Sequence, residues 1–403
     1  MEIRRMRTIN ICIHVAIVCG ALHWSQSPAF AQSWTWTACT NAPTLAWWAV
    51  ASSADGTRLA AVVRNGGIYT STNSGATWIS NNAPVRNWWG IASSADGAKL
   101  AAVINTLSTG NGGGIYASSN GGNTWNLTGA PCYLQSWQSI ASSSNGMDLV
   151  AGSLAPPHVG EIYTSTNAGS TWNPAPPTSF QWNGVASSAD GTKLVATPFT
   201  NLVYTSTNAG STWTSNSLPI PYAWSAASSA DGTRLVVGSI GPPVGSIFTS
   251  SNSGANWVSN CTPIGYWYGL AASANGTILA AAGGTNVCTS TNFGQNWVSN
   301  SLPPYTWVSV AMSADAGKMV AVAYNGPICT AQFAPPSLSA SLSGANLVVA
   351  WPCYATNCQL QQNPTLLSNV WTATTNLVIL TNGQNQIVVP ATNPQNFYRL
   401  QGL

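Results

Sequence analysis

Apolar and polar residues alternate along most of this chain in short runs, and each run ends in a cluster of Gly, Asn, Asp or Ser. A period of two sends alternate side chains to opposite faces, so the runs are read as short strands joined by tight turns. Four runs make a unit that recurs. In residues 88–128 they are W-W-G-I-A-S-S, K-L-A-A-V-I, G-I-Y-A-S-S and N-T-W-N-L-T, read as strands A to D. Each unit opens on W-x-x-x-A-S-S-A-D-G-T-x-L or a near variant. Its acidic position falls at Asp55, Asp96, Asn145, Asp190, Asp231, Asn275 and Asp315, at spacings of 41, 49, 45, 41, 44 and 40. Between C and D a second block returns six times: S-T-N-S-G-A-T-W at 71–78, then copies at 118–125, 165–172, 206–213, 250–257 and 290–297. A unit repeated at this period cannot bury its apolar faces alone and must stack on its neighbours.

The second block has the chemistry of a C–D hairpin. Ser, Asn and Thr carry short polar groups that close a turn on the backbone, and Gly supplies the positive φ. The Trp that follows adds a large apolar body, taken as a plug for each unit. The block resembles the Asp-box (BNR) repeat, S-x-D-x-G-x-T-W, of sialidase-like β-propellers, and also the propeller of photosystem II assembly factors. It departs at one position, where every copy has Asn: Asn73, Asn120, Asn167, Asn208, Asn252 and Asn292. The resemblance implies an all-β propeller of four-stranded blades. D-G turns and boxes then share one face, and the B–C and D–A loops ring the channel mouth on the other, where such propellers usually bind.

Seven A–B signatures meet only six boxes. The last unit, residues 307–332, stops after strand C, while residues 33–43, S-W-T-W-T-A-C-T-N-A-P, align with A-T-W-I-S-N-N-A-P of the first complete unit. The early segment is therefore expected to be strand D of the last unit. It would close a seven-bladed ring and leave no open sheet edge. Residues 32–333 are assigned to this propeller. Pro335-Pro336 marks a boundary, and residues 334–403 read as further short strands of a small C-terminal β-sandwich. Phe397–Leu400, F-Y-R-L, resembles the end of modules that close many exported bacterial proteins. That resemblance implies an accessory role, such as cell-surface attachment.

Residues 1–31 read as a secretory signal peptide: Arg4, Arg5 and Arg7, an apolar stretch from Ile9 to Leu22, and Ala29-Phe30-Ala31 before Gln32. The chain is expected to be secreted, to the exterior or the cell envelope. Its removal takes three arginines and one glutamate from a total of eleven basic and eight acidic residues, leaving eight and seven. With no basic patch, nucleic acid is excluded as a partner. Nine cysteines include Cys12 and Cys19 of the leader. Of the rest, Cys353 and Cys358 flank a short turn and are the disulfide candidate. Cys288 and Cys329 stand where Tyr or Phe stands in other units and are read as small core residues.

Charged residues are 5% of the chain, so acids, bases and metal ligands are scarce. A Trp opens strand A in every unit (Trp47, Trp88, Trp137, Trp182, Trp224, Trp267, Trp307) and is read as packing. The unrepeated aromatics of the mouth, Trp48, Trp89, Tyr133, Phe180, Tyr222 and Tyr268, are the ligand candidates, joined by Arg64, Arg86 and His158. Aromatic faces stack on sugars and grip peptides, so the expected ligand is a glycan or a protein segment. Five of the seven remaining acids sit in the repeated turns, with Asp148 on the same side, which leaves Glu161 alone near the mouth. A glycosidase needs two carboxylates about 5–9.5 Å apart. Glu161 is thus a weak catalytic candidate, and a non-catalytic binding protein is expected over a sialidase-like hydrolase or a structural envelope protein. His158 and Glu161 are too few for a metal site, and the residues call for no cofactor.

Overall fold

The computed structural model describes residues 34–106, 113–132, 135–154, 160–219, 222–241, 245–333, 338–352, 358–363, 371–381, 384–390 and 397–402. The proposed leader, Tyr133, His158, Cys353 and the side chain of Cys358 lie outside them. Ser33–Phe333 forms one compact unit, and Ala334–Leu403 belongs to a second.

The first unit is a β-propeller of antiparallel four-stranded meanders. The first runs Leu45–Ser52, Leu59–Val63, Ile68–Ser71 and Ile79–Ser80, each strand paired with the next. Five more repeat this order between Trp88 and Ser299. The last comprises Thr306–Met312, Lys318–Gly326 and Ile328–Phe333, and its fourth strand is Trp34–Ala38. Trp34 pairs with Phe333 and Ala38 with Cys329. The Trp34 indole is buried and donates to Ala316 O at 3.2 Å. The early segment thus supplies the strand that the last repeat lacks, as its sequence expects.

A strands lie innermost, each against the A strand of the next meander, and the last touches the first. Their turns are sewn into a circuit. The N–H of Ala54 donates to Ala95 O, Ala95 to Ser144, Ser144 to Ala189, Ala189 to Ala230, Ala230 to Ala274, Ala274 to Ala314 and Ala314 back to Ala54, all at 2.7–2.8 Å. Each turn thus has its backbone donor completed by the carbonyl of the next.

Six of the opening tryptophans, Trp47, Trp88, Trp137, Trp182 and Trp307 in strand A and Trp267 just before it, are fully buried between meanders. Each removes roughly 150–250 Å² from water, on the order of 4–6 kcal/mol before entropy is counted. Trp224 does not belong with them. Ala223 fills the equivalent core position, paired with Ser239 as Trp47 is with Val63, and Trp224 is only half-buried. The box tryptophans are also less sunken than plugs. Trp78 is buried, but Trp125, Trp172, Trp213, Trp257 and Trp297 are half-buried on the outer rim. Three lean on the strand-A ring of the same meander, as Trp78 does on Trp47 at 6.4 Å.

The boxes show why Asn serves here. Ser71 Oγ donates to Asn73 Oδ1 (2.9 Å) and accepts from Gly75 N–H (2.9 Å), while Asn73 Oδ1 also accepts from Thr77 N–H (2.9 Å). The amide then donates to Thr77 Oγ1 at 2.9 Å, a bond that recurs at Asn120, Asn167 and Asn208. A carboxylate could only accept from that hydroxyl, so Asn reverses one bond and keeps the turn. Gly75 sits at φ +85°, and a Cβ there would meet Thr330 Cγ2 at 2.6 Å.

Cys288 and Cys329 are buried free thiols of the core, pushed by burial up to about 11 and about 12. In the second unit, Ser339–Ser343, Asn346–Pro352, Gln384–Pro390 and Ile379–Thr381 form one sheet, and Thr372–Ala373, Cys358–Asn363 and Phe397–Gly402 another. Leu347, Val349, Trp351 and Ile387 of the first share a core with Leu360 and Tyr398 of the second.

Candidate functional site at the channel mouth

Strand A carries a β-bulge in almost every meander. The ladder slips between Trp47 and Ala49, Trp88 and Gly90, Trp137 and Ser139, Trp182 and Gly184, Ala223 and Ser225, and Trp307 and Ser309. A bulge leaves one residue unpaired and re-aims its side chain. The skipped residues are Trp48, Trp89, Gln138, Asn183, Trp224 and Val308. The core Trp is thus followed at once by a residue that the sheet does not claim, at the strand end opposite the A–B turns.

Trp89, Gln138, Asn183 and Trp224 line a cavity of about 350 Å³ with Arg64, Asn87, Asn105, Leu154, Gln181 and Phe199. The lining spans five consecutive meanders, as only the hub of the ring can. Arg64 is its one charged residue among those described. Its guanidinium lies 4.7 Å from the Trp48 ring, 4.7 Å from Trp89 and 5.7 Å from Tyr324. Trp48 packs on Trp89 at 4.4 Å. Across the hub a second aromatic group forms: Phe199 stacks on Tyr222 at 4.5 Å and 14°, and Trp224 meets Phe199 at 6.1 Å and Tyr268 at 6.2 Å. Asn87, Asn105, Gln138, Gln181 and Asn183 add amide side chains to the lining.

The structure gathers Trp48, Arg64 and Trp89 into one cluster and Tyr222 and Tyr268 into the other. Phe180 lies elsewhere, packed on Trp182 at 5.5 Å and Tyr204 at 5.6 Å beside an inter-meander core. Arg86 is exposed. Its backbone bridges Gly66, and its Nη1 donates to Val85 O at 2.9 Å. Glu161 is outside the cavity lining and accepts a hydrogen bond from the Tyr163 hydroxyl on its own strand, Gly160–Ser165. Burial first, and then that carboxylate, hold the Tyr163 phenol above its usual range.

The sequence reading missed Trp224, Gln138 and Asn183. A count would have found the first. From the opening Trp to the turn Asp or Asn the distance is eight residues in six units, but from Trp224 to Asp231 it is seven. The Pro of the D–A loop tells the same story. Pro43, Pro84 and Pro303 stand four before Trp47, Trp88 and Trp307 and accept their indole N–H at 3.2 Å, whereas Pro219 stands four before Ala223.

A second hollow of about 390 Å³ opens on the turn face between the second and third meanders, beside Lys99, Leu127, Leu149 and turn backbone. Its one charged side chain, Lys99, already donates to Asn145 O at 2.9 Å. Repeated turn residues build it, so the hub cavity is the better candidate.

No protein-family model matches the chain, and no curated protein does. Solved structures match its fold. "YCF48 bound to D1 peptide" aligns at a TM-score of 0.56 and 16% identity over 76% of this chain and 99% of that one. The Myceliophteria thermophila Cps50 (Swd1) β-propeller domain aligns at 0.58 and 12%, over 74% and 100%. The Niastella koreensis GH74 enzyme aligns at 0.59 and 16% over 79% of this chain, which spans only 59% of that one. At these identities the likeness is one of fold: this chain is a β-propeller.

Proposed function

We propose that the chain is an exported, non-catalytic, seven-bladed β-propeller that binds a peptide segment of a partner protein in the hub cavity, with a C-terminal β-sandwich as an accessory module. The observation that carries this reading is the cavity wall: aromatic rings, amides and one cation, with Trp89, Gln138, Asn183 and Trp224 brought to it by bulges. Aromatic surface with interspersed amides suits an extended peptide, whose side chains bury on rings and whose backbone both donates and accepts. A similar fold appears in the D1-peptide complex of YCF48. Among the described residues no carboxylate lines the cavity, so the pair a glycosidase uses has no counterpart there.

The test is selection of a random peptide display library on the immobilised protein, beside a Trp89→Ala/Trp224→Ala variant. Enrichment on the wild type that the double variant abolishes is the expected result. Failure to enrich, with binding instead to an oligosaccharide array, would replace the peptide by a glycan.

A further inference from the structure

We infer that the hub cavity recognises a carboxylate on its ligand, held by Arg64 together with the side-chain amides of Gln138 and Asn183. This rests on the peptide reading above and names the group selected.

The case begins with an imbalance of donors. Gln138 is only 6% exposed, and its amide nitrogen is fully buried with no hydrogen-bond partner. The amide nitrogen of Asn183, on the next meander, is in the same state. Both residues line the cavity. A buried donor left unpaired costs about 1–3 kcal/mol, so an acceptor that a side-chain rotation brings within reach of either amide relieves that cost. Arg64 adds a charge. It stacks on Trp48, Trp89 and Tyr324, and no ion pair among the described residues engages it. Ring faces fix the plane of a guanidinium but accept none of its in-plane N–H bonds, so the donating edge stays available.

Three donor groups, one of them cationic, and no lining carboxylate to compete define a site for an anionic acceptor. A planar carboxylate fits a guanidinium fork and leaves lone pairs for the two amides. The adjoining rings favour one charge flanked by apolar surface over a polyanion. The unpaired Oδ1 of Asn87 in the same wall can accept a backbone N–H, which a peptide offers. The carboxylate has two sources on a peptide, an Asp or Glu side chain and the chain terminus.

Three synthetic peptide pools separate them: one with Asp and Glu and blocked termini, one with Asn and Gln instead, and one with neutral side chains and a free C-terminus. Titration calorimetry with the full chain measures each. At least one carboxylate pool should bind about tenfold or more tighter than the amide pool. Arg64→Gln should erase that preference, and Gln138→Leu should reduce it severalfold without lowering the melting temperature. Preference in the third pool assigns the terminus, and in the first the side chain. Equal binding of all three would overturn the carboxylate assignment and leave the peptide reading intact. Binding of none would remove both.

Discussion

Trp88 and Trp89 are neighbours in sequence, yet they belong to different regions of the molecule. Trp88 sits in the repeated frame: fully buried, its indole bonded to Pro84 O, with counterparts in five other meanders. Trp89 occupies the bulge, half-buried, with Arg64 over its ring; the equivalent residue is again Trp in two meanders (Trp48, Trp224) but Gln138, Asn183 and Val308 in three others. The turn face repeats its hydrogen bonds seven times around the ring, while the bulge position at the hub changes among Trp, Gln, Asn and Val. The contrast teaches that the ring packs the first residue of each pair and, except at Val308, which joins a core, leaves the second outside the repeated frame.

The sharpest way to break this comparison is to truncate both members. Trp88→Ala should cost about 3–5 kcal/mol through lost burial and the cavity left behind. Trp89→Ala should cost less than about 1 kcal/mol and weaken ligand binding instead. Denaturant unfolding with unchanged m-values measures both. Equal losses would mean that the bulge residues are packing too. A smaller effect tests the turn face. Ser206 Oγ joins Asn208 Oδ1 and Gly210 N–H at 3.0 and 2.9 Å, so Ser206→Ala leaves a buried N–H unpaired and should cost about 1–3 kcal/mol. Asn208→Asp keeps every partner and should stay within about 1 kcal/mol. A large loss there would sink the account of why Asn can replace Asp in the boxes.

Most of the frame was legible because it repeats. Seven copies average out local accidents, so strand order, turn chemistry and the missing fourth strand could be read from the alignment of the chain with itself. The site was half legible for the same reason. Trp48, Trp89 and Arg64 stood out as departures from the repeat, but Gln138 and Asn183 look like ordinary strand polar residues until the bulge turns them inward. A bulge moves register by one, and no period-two pattern reports which of two adjacent residues it skips. Trp224 shows the cost: alignment by residue type put it in the core, while counting from Asp231 puts Ala223 there. Phe180 failed the other way, since a loop aromatic beside Trp182 finds a neighbouring core before it reaches the mouth.

The smallest effect concerns acid. In the A–B turns the Ser53 hydroxyl first, then the N–H and hydroxyl of Thr57, hold Asp55 down to about 2, and Ser229 with Thr233 does the same for Asp231. Asp96 and Asp190 are lowered chiefly by the Ser94 and Ser188 hydroxyls. A carboxylate in an unfolded chain titrates near 3.9, so on acidification the unfolded state takes up protons first. The contribution of these turns is therefore complete above about pH 4 and is lost as the pH falls toward about 2. These side chains are exposed, and screening limits each to no more than ~0.5 kcal/mol. Two turns already use a group that cannot titrate: Asn145 accepts from Ser143 Oγ and Met147 N–H, both at 2.8 Å, and Asn275 accepts from Ser273 Oγ at 2.8 Å. Replacing Asp55, Asp96, Asp190 and Asp231 by Asn should therefore preserve stability at neutral pH and flatten its decline between about pH 4 and pH 2 by roughly 1–2 kcal/mol. Urea unfolding across that range reads the slope. If both proteins weaken in parallel, the acid response arises outside the turns, and the repeated face loses its one electrostatic distinction from the hub.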